Sequence, residues 1–165
     1  MKLGHLAHRF FAALRARVEP SDLVVVEENL SDSERALFST MRVADQRHSI
    51  DLFHRLWDDG HRTPDLLRAA LLHDVGKASG PLPLPFRVVY SLTAWLNGRW
   101  ASWLSAPERP TWCRPFIVAA HHPALGAEAA ARAGASPNVA RLIAGHGSPG
   151  EDPLSKTLYE YDGRM

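Results

Sequence analysis

Cysteine is nearly absent: Cys113 stands alone in 165 residues. One thiol excludes a disulfide framework within the chain and a zinc cluster built on cysteines, and a reducing, cytoplasmic setting is the expectation. An excess of either charge is missing too, with 19 Lys and Arg against 18 Asp and Glu. The chain therefore lacks the basic footprint that nucleic-acid binding by charge alone requires. Long apolar runs are also lacking. The opening MKLGHLAHRFFAALRARV is interrupted by His5, His8, Arg9 and Arg15, so it does not read as a secretory leader. The apolar stretch from Phe86 to Trp103 is interrupted by Arg87, Asn97 and Arg99, well short of the ~20 residues a membrane span needs. Only LVVVE, Leu23 to Glu27, has the β-branched run of a strand, or else of an extended connector.

What remains is helical signal. With 45% hydrophobic residues the chain can bury a real core, and its length suits one domain. Leu3, Leu6, Phe10, Leu14 and Val18 recur at helical spacing, which predicts an N-terminal amphipathic helix with a basic face. SDSE offers a capping box, Ser31 with Glu34, ahead of a helix that breaks near Val43 and continues through His48, Leu52 and Leu56 to Gly60. Thr63 and Pro64 open an Ala/Leu helix. SGPLPLP, with Pro81, Pro83 and Pro85, predicts a rigid loop. Phe86, Val89, Leu92, Leu96, Trp100 and Trp103 then fall at intervals of three and four. That spacing suits a core or dimer-interface helix, or an amphipathic membrane-surface helix. From Trp112 three helices are expected: one ending at Pro123, one closing at Gly134 and one opened by Ser136 and Pro137. A last helix starts with Asp152 as cap and Pro153 behind it. The reading is an all-α, single-domain helical bundle, with residues 1–30 forming the N-terminal helix and connector and 31–165 the main domain.

Nine histidines are many for this length, and four have unusual contexts. His48 lies mid-helix, His73 precedes Asp74 in ALLHDVGK, His122 precedes Pro123, and His146 lies between Gly145 and Gly147. The last three sit at expected helix ends, where a turn of backbone can aim a side chain into a shared cavity. A His beside an Asp is costly against an apolar wall unless a metal ion offsets the burial. His54 comes six residues after His48, about 240° around the helix, so the two cannot face one ion. His54, His61, His5 and His8 read as ordinary surface or core residues, while His121 competes with His122. Imidazole and carboxylate without thiolate form a site for iron, manganese, nickel, zinc or magnesium. Lys77, one turn after Asp74, can balance the charge of a phosphate, and Gly76 lets the backbone turn.

With those residues in place the chain resembles the HD-domain superfamily of metal-dependent phosphohydrolases. The family pattern is a His, then a His-Asp doublet, then a distant Asp, all on helices. Here the resemblance selects His48, then His73 and Asp74 at 73 − 48 = 25 residues' distance, and a late Asp. Members with two metals add two histidines between doublet and final Asp; HHPALGAEAA and IAGHG match that order with His122 and His146. For the closing Asp, LYEYDGR points to Asp162, because Asp152 already serves as a helix cap. The likeness in order is to bacterial HD hydrolases of dinucleoside polyphosphates and spans roughly Ser33 to Asp162. No Glu-Asp pair follows the doublet, as in guanosine tetraphosphate hydrolases, and no Gly-Tyr-Pro follows HHPALG, as in cyclic di-GMP phosphodiesterases.

The resemblance implies an HD-type helical fold and hydrolysis of a phosphate ester or anhydride, nucleotides first, by metal-activated water. One or two divalent ions are expected, iron or manganese foremost. His48, His73, Asp74 and Asp162 would hold the first ion and His122 and His146 complete a second site, with Asp74 and Lys77 in the catalytic roles. Rival readings are an inactive metal- or nucleotide-binding regulatory module, and a membrane-surface scaffold with a structural metal. The expected partners are a small phosphorylated substrate, a second copy in a homodimer, and a membrane touched through the Trp-rich segment.

Overall fold

A computed structural model describes residues 16–80, 86, 89–90, 92–93, 98–106 and 108–164. The described secondary structure is all helical. The α-helices are α1 Val24–Asn29, α2 Asp32–Ser39, α3 Val43–Asp58, α4 Pro64–Leu72, α5 Gly98–Leu104, α6 Arg114–Arg132, α7 Pro137–Gly145 and α8 Pro153–Gly163. Short 3-10 turns cover Pro20–Leu23, Val75–Ser79 and Thr111–Cys113. None of the described helices is long and apolar enough to cross a membrane.

Helix α4 is the centre. Leu66, Leu67, Ala69, Ala70, Leu71 and Leu72 are all buried, as expected of a helix apolar around most of its circumference. It is packed by α1, α2, α3, α7 and α8. From α3 come Ile50, Leu52 and Leu56, from α7 Leu142 and Ile143, and from α8 Leu158. Each such side chain contributes about 1.5–3 kcal/mol when fully buried, so the interior end of α4 is firmly held. His73 caps that end.

The expected caps are found where the local signals put them. Ser31 and Glu34 form the capping box of α2, Ser136 accepts from the Val139 N–H and Asp152 from the Ser155 N–H. Thr63 occupies the cap position of α4, although its side chain makes no capping bond. Glu34 is fully buried and accepts from Arg68 at 2.7 Å through both carboxylate oxygens, which ties the start of α2 to α4.

Three expectations need correction. LVVVE is neither strand nor extended connector: Val24, Val25 and Val26 lie in α1. Pro20 opens a helical turn just before it, and burial of Val26 and Leu30 against the core outweighs a preference for strand that packing alone decides. Trp100 and Trp103 are not in the core. Helix α5 sits against α6, burying Ala101 and leaving both indoles exposed. Finally, α6 runs unbroken from Arg114 to Arg132 through Pro123, where two helices were expected. The predicted N-terminal helix lies outside the described residues up to Arg15; Val18, its last apolar position, is described, is not helical and packs on the core. The Pro81–Pro85 loop, Leu96 and Trp95 also lie outside them.

Candidate metal centre

Three helix segments deliver three imidazoles by one device. A helix leaves carbonyls without partners at its C-terminal end, and a proline does the same inside a helix, because its missing N–H frees the carbonyl four residues back. His73 ends α4 and its Nδ1 lies 2.9 Å from the Ala70 carbonyl. His146 ends α7, with Nδ1 2.6 Å from the Ile143 carbonyl. His122 precedes Pro123, and its Nδ1 lies 2.8 Å from the Ala119 carbonyl that Pro123 leaves free. In each case Nδ1–H donates to the carbonyl three residues back. The ring is thereby oriented and its Nε2 becomes the free acceptor, the tautomer a metal ligand needs. The same bond explains how α6 continues through Pro123.

All three Nε2 atoms turn toward Asp74. Its Oδ1 is 3.6 Å from His122 Nε2 and 4.0 Å from His146 Nε2. Its Oδ2 is 3.5 Å from His73 Nε2 and 2.5 Å from the Lys77 ammonium. Residues 75–79 form a 3-10 turn, in which side chains three apart eclipse, and this places Lys77 over Asp74. His48 on α3 joins from the other side, with Nε2 2.7 Å from Asp162 Oδ1, and that oxygen lies 3.7 Å from His73 Nε2. Two groups of ligand atoms result, each within 4.8 Å of one another: His48, His73 and Asp74, and Asp74, His122 and His146. Asp74 belongs to both.

Backbone contact sets the spacing between the two halves. A Cβ at Gly76 would lie 1.9 Å from the His122 carbonyl oxygen and 2.6 Å from the Gly126 nitrogen. The turn after Asp74 thus packs backbone to backbone on α6, and this contact brings His122 up to Asp74.

Burial fixes the protonation states. It pushes His122 down to about 3, helped by the positive charge of Lys77. Burial likewise pushes His146 down to about 4, helped by His73. Both rings are neutral at pH 7. Burial alone would raise Asp74, but His73, Lys77 and His122 together hold it well below the ordinary carboxylate range. Burial would raise Asp162 too, and the His48 hydrogen bond and the neighbouring His73 hold it well below the ordinary carboxylate range instead. His122 and His146 therefore stand neutral beside the ionised carboxylates of Asp74 and Asp162.

That donor set fits a divalent cation. His73 Nε2 is buried without a hydrogen-bond partner, a costly condition for a polar atom unless a ligand takes it up. His122 Nε2 and His146 Nε2 face each other at 3.2 Å. With both Nδ1 atoms protonated, neither Nε2 has a proton to share. Two nitrogens bound to one ion at about 2.1 Å each stand roughly 3.0–3.4 Å apart, so the spacing suits a shared cation. The fold and site thus define an all-α protein with a His/Asp cluster able to hold a metal ion. No protein-family model, no curated protein and no solved structure matches the chain.

The structure brings His48, His73, Asp74, His122, His146, Asp162 and Lys77 together. It separates the competitors. His121 points away, its Nε2 3.1 Å from the Ser105 carbonyl. Asp152 caps α8 and pairs with Arg141 at 2.9 Å. His54 lies against Phe53, and His61 edges onto Tyr161. Leu154, Leu158 and Tyr161, which the sequence offers as the packing that ties down Asp162, all pack on the core, and the Tyr161 hydroxyl also donates to Asp59 at 2.8 Å, pinning the residue next to Asp162. Sequence reasoning missed the part played by Pro123. The dipeptide His122-Pro123 was itself the signal, since a proline at 123 frees the carbonyl three residues before His122.

Proposed function

We propose that this chain is a metal-dependent phosphohydrolase of the HD type, cleaving a phosphate ester or anhydride, with nucleotides the first substrates to try. The reading is carried by one observation: three imidazoles tied down at Nδ1 converge through Nε2 on a buried aspartate, and a fourth reaches it beside Asp162. His48, His73, Asp74 and Asp162 would hold one divalent ion, and Asp74, His122 and His146 a second, with Asp74 shared. Iron and manganese lead, with nickel, zinc and magnesium admitted by the same donors. A divalent ion bound there supplies Lewis-acid polarisation of a phosphoryl oxygen and a water acidic enough to deprotonate near neutral pH.

The chain's own residues provide the rest. The Nδ1 bonds keep the rings in place, so little reorganisation accompanies metal loading. Lys77 holds Asp74 at its Oδ2, and its flexible ammonium can turn to phosphoryl oxygens as negative charge builds on them.

Metal per chain, measured on protein purified without chelator, tests the reading together with phosphatase and nucleotidase assays. The expected result is about two ions in the wild type and about one in His122→Ala, with turnover lost in His73→Ala and Asp74→Asn. Wild-type protein that binds no manganese, iron or zinc refutes it. So does turnover that survives loss of His73.

A further inference from the structure

The Lys77 ammonium lies 2.5 Å from Asp74 Oδ2, the carboxylate oxygen that stands 3.5 Å from His73 Nε2. Two ligands bound to one ion at about 2.1 Å each, at a near-tetrahedral angle, are separated by about that distance. Lys77 thus pairs with the oxygen that the His48, His73 and Asp162 half of the centre would offer to a metal. The other oxygen, Oδ1, is the one nearer His122 and His146.

The two partners of this ion pair are unequally free to move. Asp74 is 2% exposed, and the turn that follows it is pressed backbone to backbone on α6 at Gly76. The Lys77 side chain is 19% exposed, and its flexible four-carbon stem reaches water by rotation alone. The Lys77 N–H donates to the Asp74 carbonyl at 3.0 Å, so the ammonium can leave while the turn that carries it stays in place.

Charge decides the direction of the exchange. Burial would raise Asp74 and Asp162, yet both are held ionised, Asp74 by His73 and Lys77 and Asp162 by His48. One divalent ion balances both carboxylates. An ammonium kept on Asp74 Oδ2 would then be a surplus positive charge in a buried site, repelled by the ion beside it.

We propose that Lys77 is the resident cation of the metal-free centre and gives up Asp74 Oδ2 when a divalent ion binds. Metal affinity is thereby set below what the imidazoles and carboxylates alone would give, and the ammonium is released to meet another anion only once metal is bound. The inference rests on the metal-binding part of the function proposed above and not on hydrolysis. A fixed structural ion pair predicts the reverse, a loss of metal affinity when Lys77 is removed.

The experiment is a titration of the full chain with zinc and with manganese, in competition with a chromophoric chelator. In Lys77→Met, which keeps the bulk of the stem and drops the charge, affinity rises by roughly tenfold or more, while the metal-free variant melts below metal-free wild type. Lys77→Arg, which keeps the charge, does not tighten. A second readout needs no variant. The chain has three lysines, Lys2, Lys77 and Lys156, and acylation mapped by mass spectrometry should modify Lys77 faster in zinc-loaded than in metal-free wild type, with Lys156 as the reference. Unchanged or weaker affinity in folded Lys77→Met overturns the proposal, as does equal tightening in Lys77→Arg. Should Lys77→Met fail to fold, acylation of Lys77 that is no faster with zinc overturns it. Wild-type protein that binds neither metal refutes the metal reading and this inference with it, whereas binding without tightening in Lys77→Met refutes this inference alone.

Discussion

Replacing Gly76 by alanine adds one methyl group at the point where the turn after Asp74 touches α6. The new carbon would lie 1.9 Å from the His122 carbonyl oxygen, 2.6 Å from the Gly126 nitrogen and 2.8 Å from the His122 carbonyl carbon. All three are backbone atoms, so no rotamer change relieves the clash and α6 must move by an ångström or more. Overpacking of a well-packed site costs about 1–3 kcal/mol, and more when only backbone can yield. We expect about 3 kcal/mol or more here. At roughly 2–4 °C per kcal/mol for a chain of this size, the melting temperature falls by about 6–12 °C. Gly126→Ala, whose nearest neighbours are the Gly76 nitrogen at 3.1 Å and the Ile143 Cγ2 at 3.3 Å, should fall between Gly76→Ala and wild type. Gly98→Ala meets nothing within 4 Å and should be neutral. Because His122 rides on the displaced helix, Gly76→Ala should also weaken metal binding in the fraction that folds. Thermal melts of the three variants, metal-free and metal-loaded, decide the matter. A Gly76→Ala protein melting within about 2 °C of wild type would refute the backbone contact and the account of how His122 reaches Asp74.

Metal-free protein should lose stability on acidification through the range in which unfolded histidines take up protons. Unfolded imidazoles titrate near 6.5, whereas His122 and His146 are held at about 3 and about 4. The unfolded chain therefore binds more protons between those values. Stability is full above pH 6.5 and falls by about 2 kcal/mol per histidine by pH 5; urea melts at pH 7.5 and 5 should show a smaller fall in His122→Ala, and an equal fall would count against its buried neutral state. The two late aspartates should part company: Asp162→Ala loses metal, while Asp152→Ala keeps it and loses only a helix cap, as metal analysis and melts will show. Arg68→Ala leaves buried Glu34 without its cation and should destabilise by about 3–5 kcal/mol. A loss under about 1 kcal/mol would show that water reaches Glu34.

Much of the helical punctuation was legible because its causes lie within one turn of chain. Ser31 with Glu34, Ser136 before Pro137 and Asp152 before Pro153 satisfy the first N–H groups of their own helices, and no distant residue is needed for that. The buried character of α4 followed from its Ala/Leu composition. The His73-Asp74 pair was likewise visible, as ionisable residues at the end of an apolar helix. What misled was propensity in short segments: three valines that pack as helix, and tryptophans whose helical spacing did not reveal which side faces the core. Neighbouring elements decide that, and in α5 the small residues won the interior.

The sequence by itself determined an all-α chain with its helix starts and a set of histidines and aspartates suited to a cation. Only the tertiary structure decided which of them meet. It chose His122 over His121 because the Pro123-freed carbonyl orients one ring inward while the other bonds to Ser105. It placed Asp162 at His48, 114 residues away in sequence, and left Asp152 on the surface as a cap. It also carried α6 through Pro123 and pressed it onto Gly76. These outcomes depend on contacts between distant segments of backbone, and local spacing carries no record of such contacts.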